Sequence, residues 1–323
     1  MINLVRTGTL FALSSLVSLA GLSGFAGELP DPASVPTVKL FEVDKYCEGV
    51  VFDHEGNGYI SHGANITKFK LNGEHEIWAT YEAPNGHKVL ADGTHLVCDG
   101  NMHAVLHLDA DGKLIDKASS ECNGEPLRGP NDLSLDPKGG FYFTDPGGSD
   151  DQNPIGTVHY VTKKGKTRLV DEGLAFPNGI VLTPDRKTLY VGESKMNRVL
   201  KYEVKSPGKV GERTVFADLP TKEGEQIDNQ PDGMCLDANG NLYVAHFGMK
   251  QVQVLNPQGE LIARYDGGNI TTSNVAFGGP DWSTLYITGG LGTIGGGGGG
   301  LFKIDLGVKG LVILPEAKSK RRD

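Results

Sequence analysis

The sequence predicts an all-β protein, a six-bladed β-propeller with four antiparallel strands in each blade. The first observation is a unit in which Asn, Asp or Glu starts an apolar strand, a tight turn follows, and a strand bearing Tyr or Leu comes next. The second is its recurrence: units open at Glu48, Asn85, Asn131, Asn178, Asp232 and Asn274, at intervals of 37, 46, 47, 54 and 42 residues. The third is the content of 46 glycines, which suits many hairpin turns. Strand repeats of roughly 40 to 50 residues are typical of propeller blades.

The two ends of the propeller domain, predicted over residues 27–316, are expected to meet in one blade. The segment TVKLFEV precedes the first unit, and the last unit has only three clear strand runs, NVAFGG, TLYITGG and LFKIDL. We therefore expect the N-terminal strand to complete the last sheet, so that the ring is closed by N- and C-terminal strands. This closure removes two open sheet edges. The six-glycine run Gly295–Gly300 is predicted to be a loop, either a spacer or a cover over one end of the channel.

Residues 1–26 have the pattern of an export signal. Arg6 is followed by an apolar run, Leu10 to Leu22, and small residues Gly24 and Ala26 precede a plausible cleavage point. We expect an exported protein, periplasmic or secreted, with no stable membrane insertion after cleavage; an uncleaved anchor is the alternative. Residues 317–323 are predicted to be a basic tail.

The charge of the chain argues against nucleic acid as a partner. There are 40 acidic and 31 basic residues, and the only basic run is Lys318–Arg322. The four cysteines form no C-x-x-C pair, so zinc bound by thiolates is not indicated; Cys98 and Cys122 are the one pairing worth testing. The sequence does not indicate an oligomeric state.

The residues that open the units predict a metal site. Rotation about the propeller axis would bring these six side chains, which we call the anchors, into one ring. A single Asn-Gly, as at Asn85 or Asn178, is otherwise typical of a turn. Glu48 and Asp232, however, would meet with only amides between them, where they would repel each other and lose solvation. A divalent cation removes that conflict, and oxygen ligands favour calcium, magnesium or manganese.

A second set of polar residues follows each anchor by 14 or 15 positions. Since the second strand of a blade returns antiparallel to the first, these residues come back to the anchor end of the ring. They are His62, Asp99, Asp145, Glu193, His246 and Thr288. We predict that His62, Asp145, Glu193 and His246 contact the substrate, although a rim histidine is often only a hydrogen-bonded surface residue.

The chain resembles the gluconolactonase family, which includes senescence marker protein (regucalcin) and the calcium-dependent drug-responsive lactonases. The stretches that carry the resemblance are RGPNDLSLDPKGGFYFTDP, FPNGIVLTPDRKTLYV and QPDGMCLDANGNLYVA. The resemblance implies one divalent metal ion on the axis. Calcium is favoured, with zinc, magnesium and manganese as alternatives.

The resemblance also implies roles for particular residues. Glu48, Asn178 and Asp232 would ligate the metal, and Asn131 would be a fourth ligand or a substrate contact. Asp232 would also be the general base. Arg128 would bind substrate, although it lies one residue further from the Asn than the family's Arg does. No second metal site can be assigned.

The resulting functional hypothesis is hydrolysis of a small lactone or sugar-derived substrate. The metal would polarise the carbonyl, and Asp232 would deprotonate the attacking water. Asp145, Glu193, His62 and His246 are alternatives for the proton transfer. Two other functions stay open, a phosphotriesterase on the same metal site and a non-enzymatic secreted binding module. No Gly-x-Ser-x-Gly is present, so a serine esterase is not supported.

Overall fold

The structure, a computed structural model, describes residues 28–222, 228–292 and 297–311. It confirms the predicted six-bladed β-propeller. Six antiparallel sheets form the blades, and the described residues contain only two short helices, both 3-10. These helices are Pro32–Ser34 and Ser194–Met196. None of the helices in the described ranges is long and apolar enough to cross a membrane.

Each blade is numbered here in chain order and described from its inner strand outward. Blade 1 has Cys47–Phe52, Gly58–His62, Asn65–Phe69 and His75–Thr80, and blade 2 has Pro84–Val89, His95–Asp99, Ala104–Leu108 and Leu114–Ser119. Blade 3 has Leu133–Asp136, Gly140–Asp145, Gly156–Val161 and Thr167–Leu174, and blade 4 has Pro177–Leu182, Thr188–Glu193, Arg198–Ser206 and Thr214–Asp218. Blade 5 has Gln230–Leu236, Leu242–Phe247, Gln251–Leu255 and Leu261–Asp266, and blade 6 has Thr271–Gly278, Thr284–Gly290, Gly299–Asp305 and Val38–Val43. The short strand Lys209–Val210 pairs with the end of Arg198–Ser206, the third strand of blade 4. The short strands Glu121–Cys122 and Glu125–Pro126 pair with each other between blades 2 and 3.

Blade 6 closes the ring in the predicted way. Its outer strand, Val38–Val43, pairs antiparallel with Gly299–Asp305, and each inner strand contacts the inner strands of the two neighbouring blades. The last two glycines of the predicted loop belong to this pairing. A Cβ at Gly299 would lie 2.3 Å from the carbonyl oxygen of Lys45, so only glycine lets the two segments approach this closely.

The repeated aromatic position of the units forms the core between blades. Tyr59, Tyr142, Tyr243 and Tyr286 are almost fully buried and pack with the aliphatic side chains of neighbouring sheets. The Tyr59 hydroxyl donates to Asp53 Oδ2 at 3.0 Å, and the Tyr243 hydroxyl donates to Asp237 Oδ2 at 3.2 Å. In blades 1 and 5 this Tyr therefore ties the second strand to the turn that joins it to the first strand.

In each of five blades, the turn between the first and second strands lies at the end of the ring away from the anchors and contains a residue with positive φ. In four blades this residue is glycine, with φ between 82° and 92°: Gly56, Gly93, Gly139 and Gly240. Blade 4 has Arg186 there, with φ 62°. Its guanidinium reaches into blade 3, with Nε 2.6 Å from Asp136 Oδ1 and Nη2 3.1 Å from Oδ2. This turn therefore ties two blades together.

Three sequence predictions concern the chain ends and the cysteines. The predicted export signal, residues 1–26, and the predicted basic tail, residues 317–323, lie outside the described residues. All four cysteines are described, and all are free. Cys98 and Cys122 therefore form no disulfide in this structure.

Candidate active site

The anchors lie where the inner strands are irregular. In blade 1 the pairing shifts register between Glu48 and Val50, and in blade 5 it shifts between Pro231 and Met234. Blades 2, 4 and 6 have the same kind of shift at the anchor. Such a bulge bends the strand and redirects a side chain. The bulge explains why the anchor side chain does not point in the direction that regular alternation along the strand would give it.

Glycines beside the anchors bring adjacent inner strands together. A Cβ at Gly49 would lie 2.1 Å from the carbonyl oxygen of Asn85, the next anchor along the chain. A Cβ at Gly179 would lie 2.1 Å from the carbonyl oxygen of Asp232. At Gly86 the approach is close enough for its N–H to donate to the Asn131 carbonyl at 2.8 Å. The anchor end of the ring is narrow because these positions have no side chain.

Five of the six anchors line one cavity of about 940 Å³ at this end of the axis. They are Glu48, Asn85, Asn131, Asn178 and Asp232. The sixth, Asn274, is buried and does not line it; its Oδ1 accepts the N–H of Val275 at 2.9 Å. The repeat therefore places two carboxylates and three amides around one space.

Burial and mutual repulsion set the electrostatics of the two anchor carboxylates. Burial, and then the negative charge of Asp132, raise the pKa of Glu48 to about 8, although the Tyr46 hydroxyl opposes the rise. The pKa of Asp232 is raised well above its usual value by burial, and then by Glu48 and Asp132; a hydrogen bond from Asn178 opposes this. Both groups are thus in a site that disfavours their charged form unless a cation is present.

The donor set of the cavity fits a hard divalent cation. Glu48 Oε2 is buried and has no hydrogen-bond partner among the described residues. Carboxylate and amide oxygens are the ligands that calcium and magnesium prefer. The part of the chain that the structure describes contains no cluster of three His, Cys, Asp or Glu suited to a metal. A cation here would therefore depend on amide oxygens as well as on the carboxylates of Glu48 and Asp232.

Asp132 is a third acidic group near the axis and was not singled out from the sequence. It is buried, accepts the N–H of Leu133 at 2.8 Å, and lies 3.8 Å from Lys88 Nζ. Blades 1, 2, 4 and 5 have glycine at this position, directly after the anchor. The signal was therefore visible as a break in the anchor-glycine pattern. Burial raises the pKa of the Asp132 carboxyl, and the positive charge of Lys88 partly opposes the rise.

Asp145 and Glu193, the two acids of the second polar set that were predicted to contact substrate, come back to the anchor end but do not line the cavity. Asp145 accepts the backbone N–H groups of Arg128 at 2.9 Å and Gly129 at 2.7 Å. Glu193 accepts the N–H of Ala175 at 2.9 Å and is paired with Arg198 at 2.7 Å. In both blades the carboxylate holds the chain that enters the inner strand.

His62 and His246, the two histidines of that set, do not line the cavity either. His62 Nε2 lies 2.7 Å from Thr67 Oγ1, and burial lowers the pKa of its imidazole against the opposing effect of Asp44. His246 Nε2 lies 2.8 Å from Asn197 Oδ1, and burial lowers its pKa to about 3. Burial therefore favours the neutral form of both rings, and polar side chains hold them in place.

Arg128 is exposed, and its side chain is also outside the cavity lining. Its guanidinium donates to the carbonyl of Ile155, and its stem packs against Gly147. Arg128 thus lies over the loop between the second and third strands of blade 3.

Three aromatic rings form walls of the cavity and were not singled out from the sequence. They are Tyr46, Phe176 and Phe247, and each is half-buried. Tyr46 and Phe247 make an edge contact with ring centroids 6.5 Å apart. Tyr46 and Phe176 each lie two residues before an anchor, which was the available sequence signal.

The fold and the cavity together define a six-bladed propeller with an oxygen-lined axial site. Residues 48–290 match the SMP-30/Gluconolactonase/LRE-like region. The lactonase drp35 of Staphylococcus epidermidis is 31% identical over 273 residues, which cover 77% of this chain and 80% of that protein. A gluconolactonase of Zymomonas mobilis is 30% identical over 216 residues, covering 63% and 60%. The chain belongs to the SMP-30/gluconolactonase/LRE-like family.

Solved structures support the fold independently. A gluconolactonase from Xanthomonas campestris superposes with a TM-score of 0.72 at 24% identity, covering 85% of this chain and 91% of that one. A regucalcin from Agrobacterium tumefaciens, described as a calcium-binding protein, superposes with a TM-score of 0.74 at 23% identity, covering 88% and 98%. At these identities the likeness concerns the fold.

Proposed function

We propose that this chain is a lactonase that depends on a divalent cation and hydrolyses a small lactone. One observation carries the proposal: the buried carboxylates of Glu48 and Asp232 face one cavity together with amide groups. The names of the relatives, lactonase and gluconolactonase, support the reaction class.

The cation would be held by Glu48, Asn131, Asn178 and Asp232. The description of the related regucalcin as calcium-binding supports calcium. When bound, the cation would supply a Lewis acid at the carbonyl oxygen of the lactone.

The remaining work falls to the side chains of this chain. Asp232, oriented by Asn178, takes a proton from the water that attacks the carbonyl carbon. Asn85 and Asn131 donate amide hydrogen bonds to the oxygens of the lactone as negative charge develops there. The ring C–O bond then breaks, and the leaving oxygen takes the proton from Asp232. The product is the open hydroxy acid.

The test combines metal analysis with hydrolysis. The purified protein is assayed on lactones and on a phosphotriester after chelation and after return of calcium, magnesium, manganese or zinc. We expect lactone hydrolysis that chelation removes and one cation restores. Asp232→Asn should lower kcat by about 10³-fold, whereas Asp281→Asn, an exposed turn residue at the other end of the ring, should not.

Three results would contradict the proposal or part of it. Faster cleavage of the phosphotriester would favour a phosphotriesterase on the same site. A protein with stoichiometric calcium and no hydrolase activity would favour a binding module. Full activity of Asp232→Asn would remove Asp232 from the reaction.

We also propose that the chain is exported and cleaved after Ala26. The charged start, the apolar run and the small residues before this point support it. The mass of the protein recovered from the periplasm or the medium tests it: a species starting at Gly27 is expected, and an intact N-terminus would indicate an anchor.

A further inference from the structure

A second ring of side chains lies further along the inner strands than the anchors. In each blade it consists of the residue that pairs with the repeated Tyr or Leu of the second strand. These residues are Val51, Lys88, Ser134, Val181, Cys235 and Ala276. All of them line a second cavity of about 100 Å³, which is otherwise lined mainly by apolar side chains. Lys88 is the one charged side chain of this ring.

The ammonium group of Lys88 faces an acidic group of the next blade. Its Nζ lies 3.8 Å from Oδ1 of Asp132, whose side chain is only 3% exposed. The carboxylate has room there because Gly86, in the same strand as Lys88, has no side chain: a Cβ at Gly86 would lie 2.5 Å from Asp132 Oδ1. The inner strand of blade 2 thus supplies both the space for this carboxylate and its positive partner.

Lys88 belongs electrostatically to the acids of the axis. The negative charge of Asp132 raises the pKa of both Glu48 and Asp232, so the three carboxyl groups act as one cluster. The charge of Lys88 also reaches the opposite blade, because burial raises the pKa of the Cys235 thiol and Lys88 opposes the rise. With all three acids ionised and Lys88 protonated, two negative charges remain, which one divalent cation would neutralise.

We propose that Lys88 is a fixed counter-charge of the axial site, which limits the site to two further positive charges and so disfavours a trivalent cation. This inference rests on the cation of the proposed function and concerns a residue that does not line the anchor cavity. In a buried site the ammonium group repels a bound cation, and the repulsion grows with the charge of the cation. The same ammonium group compensates the buried acids when no cation is bound, so the ring can close without one.

Calorimetric titration with calcium and with lanthanum tests the counter-charge. Lys88→Met keeps the length of the side chain and removes its charge; we expect calcium to bind at least about ten-fold more tightly and lanthanum at least about thirty-fold. Lys88→Arg retains the charge and should stay within about two-fold of the unaltered protein. Lys45→Met, which removes an exposed charge at the mouth of the anchor cavity, should do the same. Lys88→Met/Asp132→Asn should reverse the gain.

Urea unfolding in the presence of a chelator separates this inference from the proposed function. Without a cation, Lys88→Met should unfold at a lower urea concentration than the unaltered protein, because the buried acids have lost their counter-charge. Lys88→Met/Asp132→Asn should recover the midpoint. If the unaltered protein binds no cation but this pattern is found, the cation-dependent function fails and the counter-charge stands. If calcium binds the unaltered protein, Lys88→Met and Lys45→Met with equal Kd, the counter-charge is wrong and the cation site stands.

Discussion

Gly179 shows how one missing side chain positions a functional group. Its Cα lies against the carbonyl of Asp232, so the inner strands of blades 4 and 5 approach until backbone touches backbone. An atom added there meets a main-chain oxygen, which cannot turn aside as a side chain could. The position of the Asp232 carboxylate therefore depends on a residue in another blade.

We predict that Gly179→Ala destabilises the protein by about 2–3 kcal/mol and weakens cation binding. Gly100→Ala is the matched control, since nothing lies within 4 Å of a Cβ at Gly100. Urea unfolding and calcium titration measure the two effects. Equal behaviour of the two variants would show that the strands can move apart freely.

Some residues of the cavity could be predicted from the sequence and others could not. The convergence of Glu48, Asn131, Asn178 and Asp232 on one cavity followed from the repeat, because equivalent positions share one end of the ring; their ligand and catalytic roles stay predictions. Asp132 was missed because it interrupts a position that is glycine in four blades, and Tyr46 and Phe176 were missed because their position differs from blade to blade. A repeat argument detects what blades share, and these residues are exceptions to it.

Strand pairing places Asp145, Glu193, His62 and His246 at the predicted end. Their side chains nevertheless turn to the entering chain or to neighbouring polar groups rather than to the cavity lining. Spacing along a strand predicts the position of a residue along the propeller axis. It does not predict which free backbone N–H group the side chain will accept a hydrogen bond from.

The strand Val38–Val43, which closes the ring, has one buried side chain, Phe41. Phe41 packs into the core of blades 1 and 6, with its ring 5.5 Å from the ring of Phe69 and stacked on His75 at 4.2 Å. Val38, on the same strand, is 46% exposed. The strand therefore combines edge hydrogen bonds with one large apolar contact.

We predict that Phe41→Ala lowers the free energy of unfolding by about 3 kcal/mol, because it leaves a cavity where the ring closes. Val38→Ala, in the same strand, should cost less than about 1 kcal/mol. Urea unfolding followed by fluorescence distinguishes them. A small effect at Phe41 would mean that backbone pairing alone holds the strand.

The turn of blade 4 contains an ion pair whose contribution to stability can be tested. Arg186 is the charge partner of Asp136, whose side chain is only 1% exposed. Arg186→Ala leaves that carboxylate buried without its partner, and we expect a loss of about 3 kcal/mol. Lys187→Ala, at the exposed neighbouring position, is the control. Thermal unfolding of the two variants is the measurement; a similar midpoint for both would show that Asp136 does not need Arg186.

For the whole molecule, a cation on the axis should act as a stabilising ligand. Its ligands come from blades 1, 3, 4 and 5, so binding favours only the closed ring. At a hundred times Kd it contributes about 2.7 kcal/mol, which corresponds to a rise in Tm of about 4 °C for a domain of this size. Glu48→Gln should abolish most of this rise, whereas Asp281→Asn should retain it. Differential scanning calorimetry with and without calcium measures it, and an equal shift in both variants would place the ion elsewhere.

The order of strands in blade 6 has a consequence during translation. Val38 pairs with Lys303, so a strand made early must wait until nearly the whole propeller has left the ribosome. Until then its hydrogen-bonding edge and the Phe41 ring are open to other nascent chains, and joining segments so distant in sequence is entropically slow. The step at which synthesis is most vulnerable to misassembly is thus the last one.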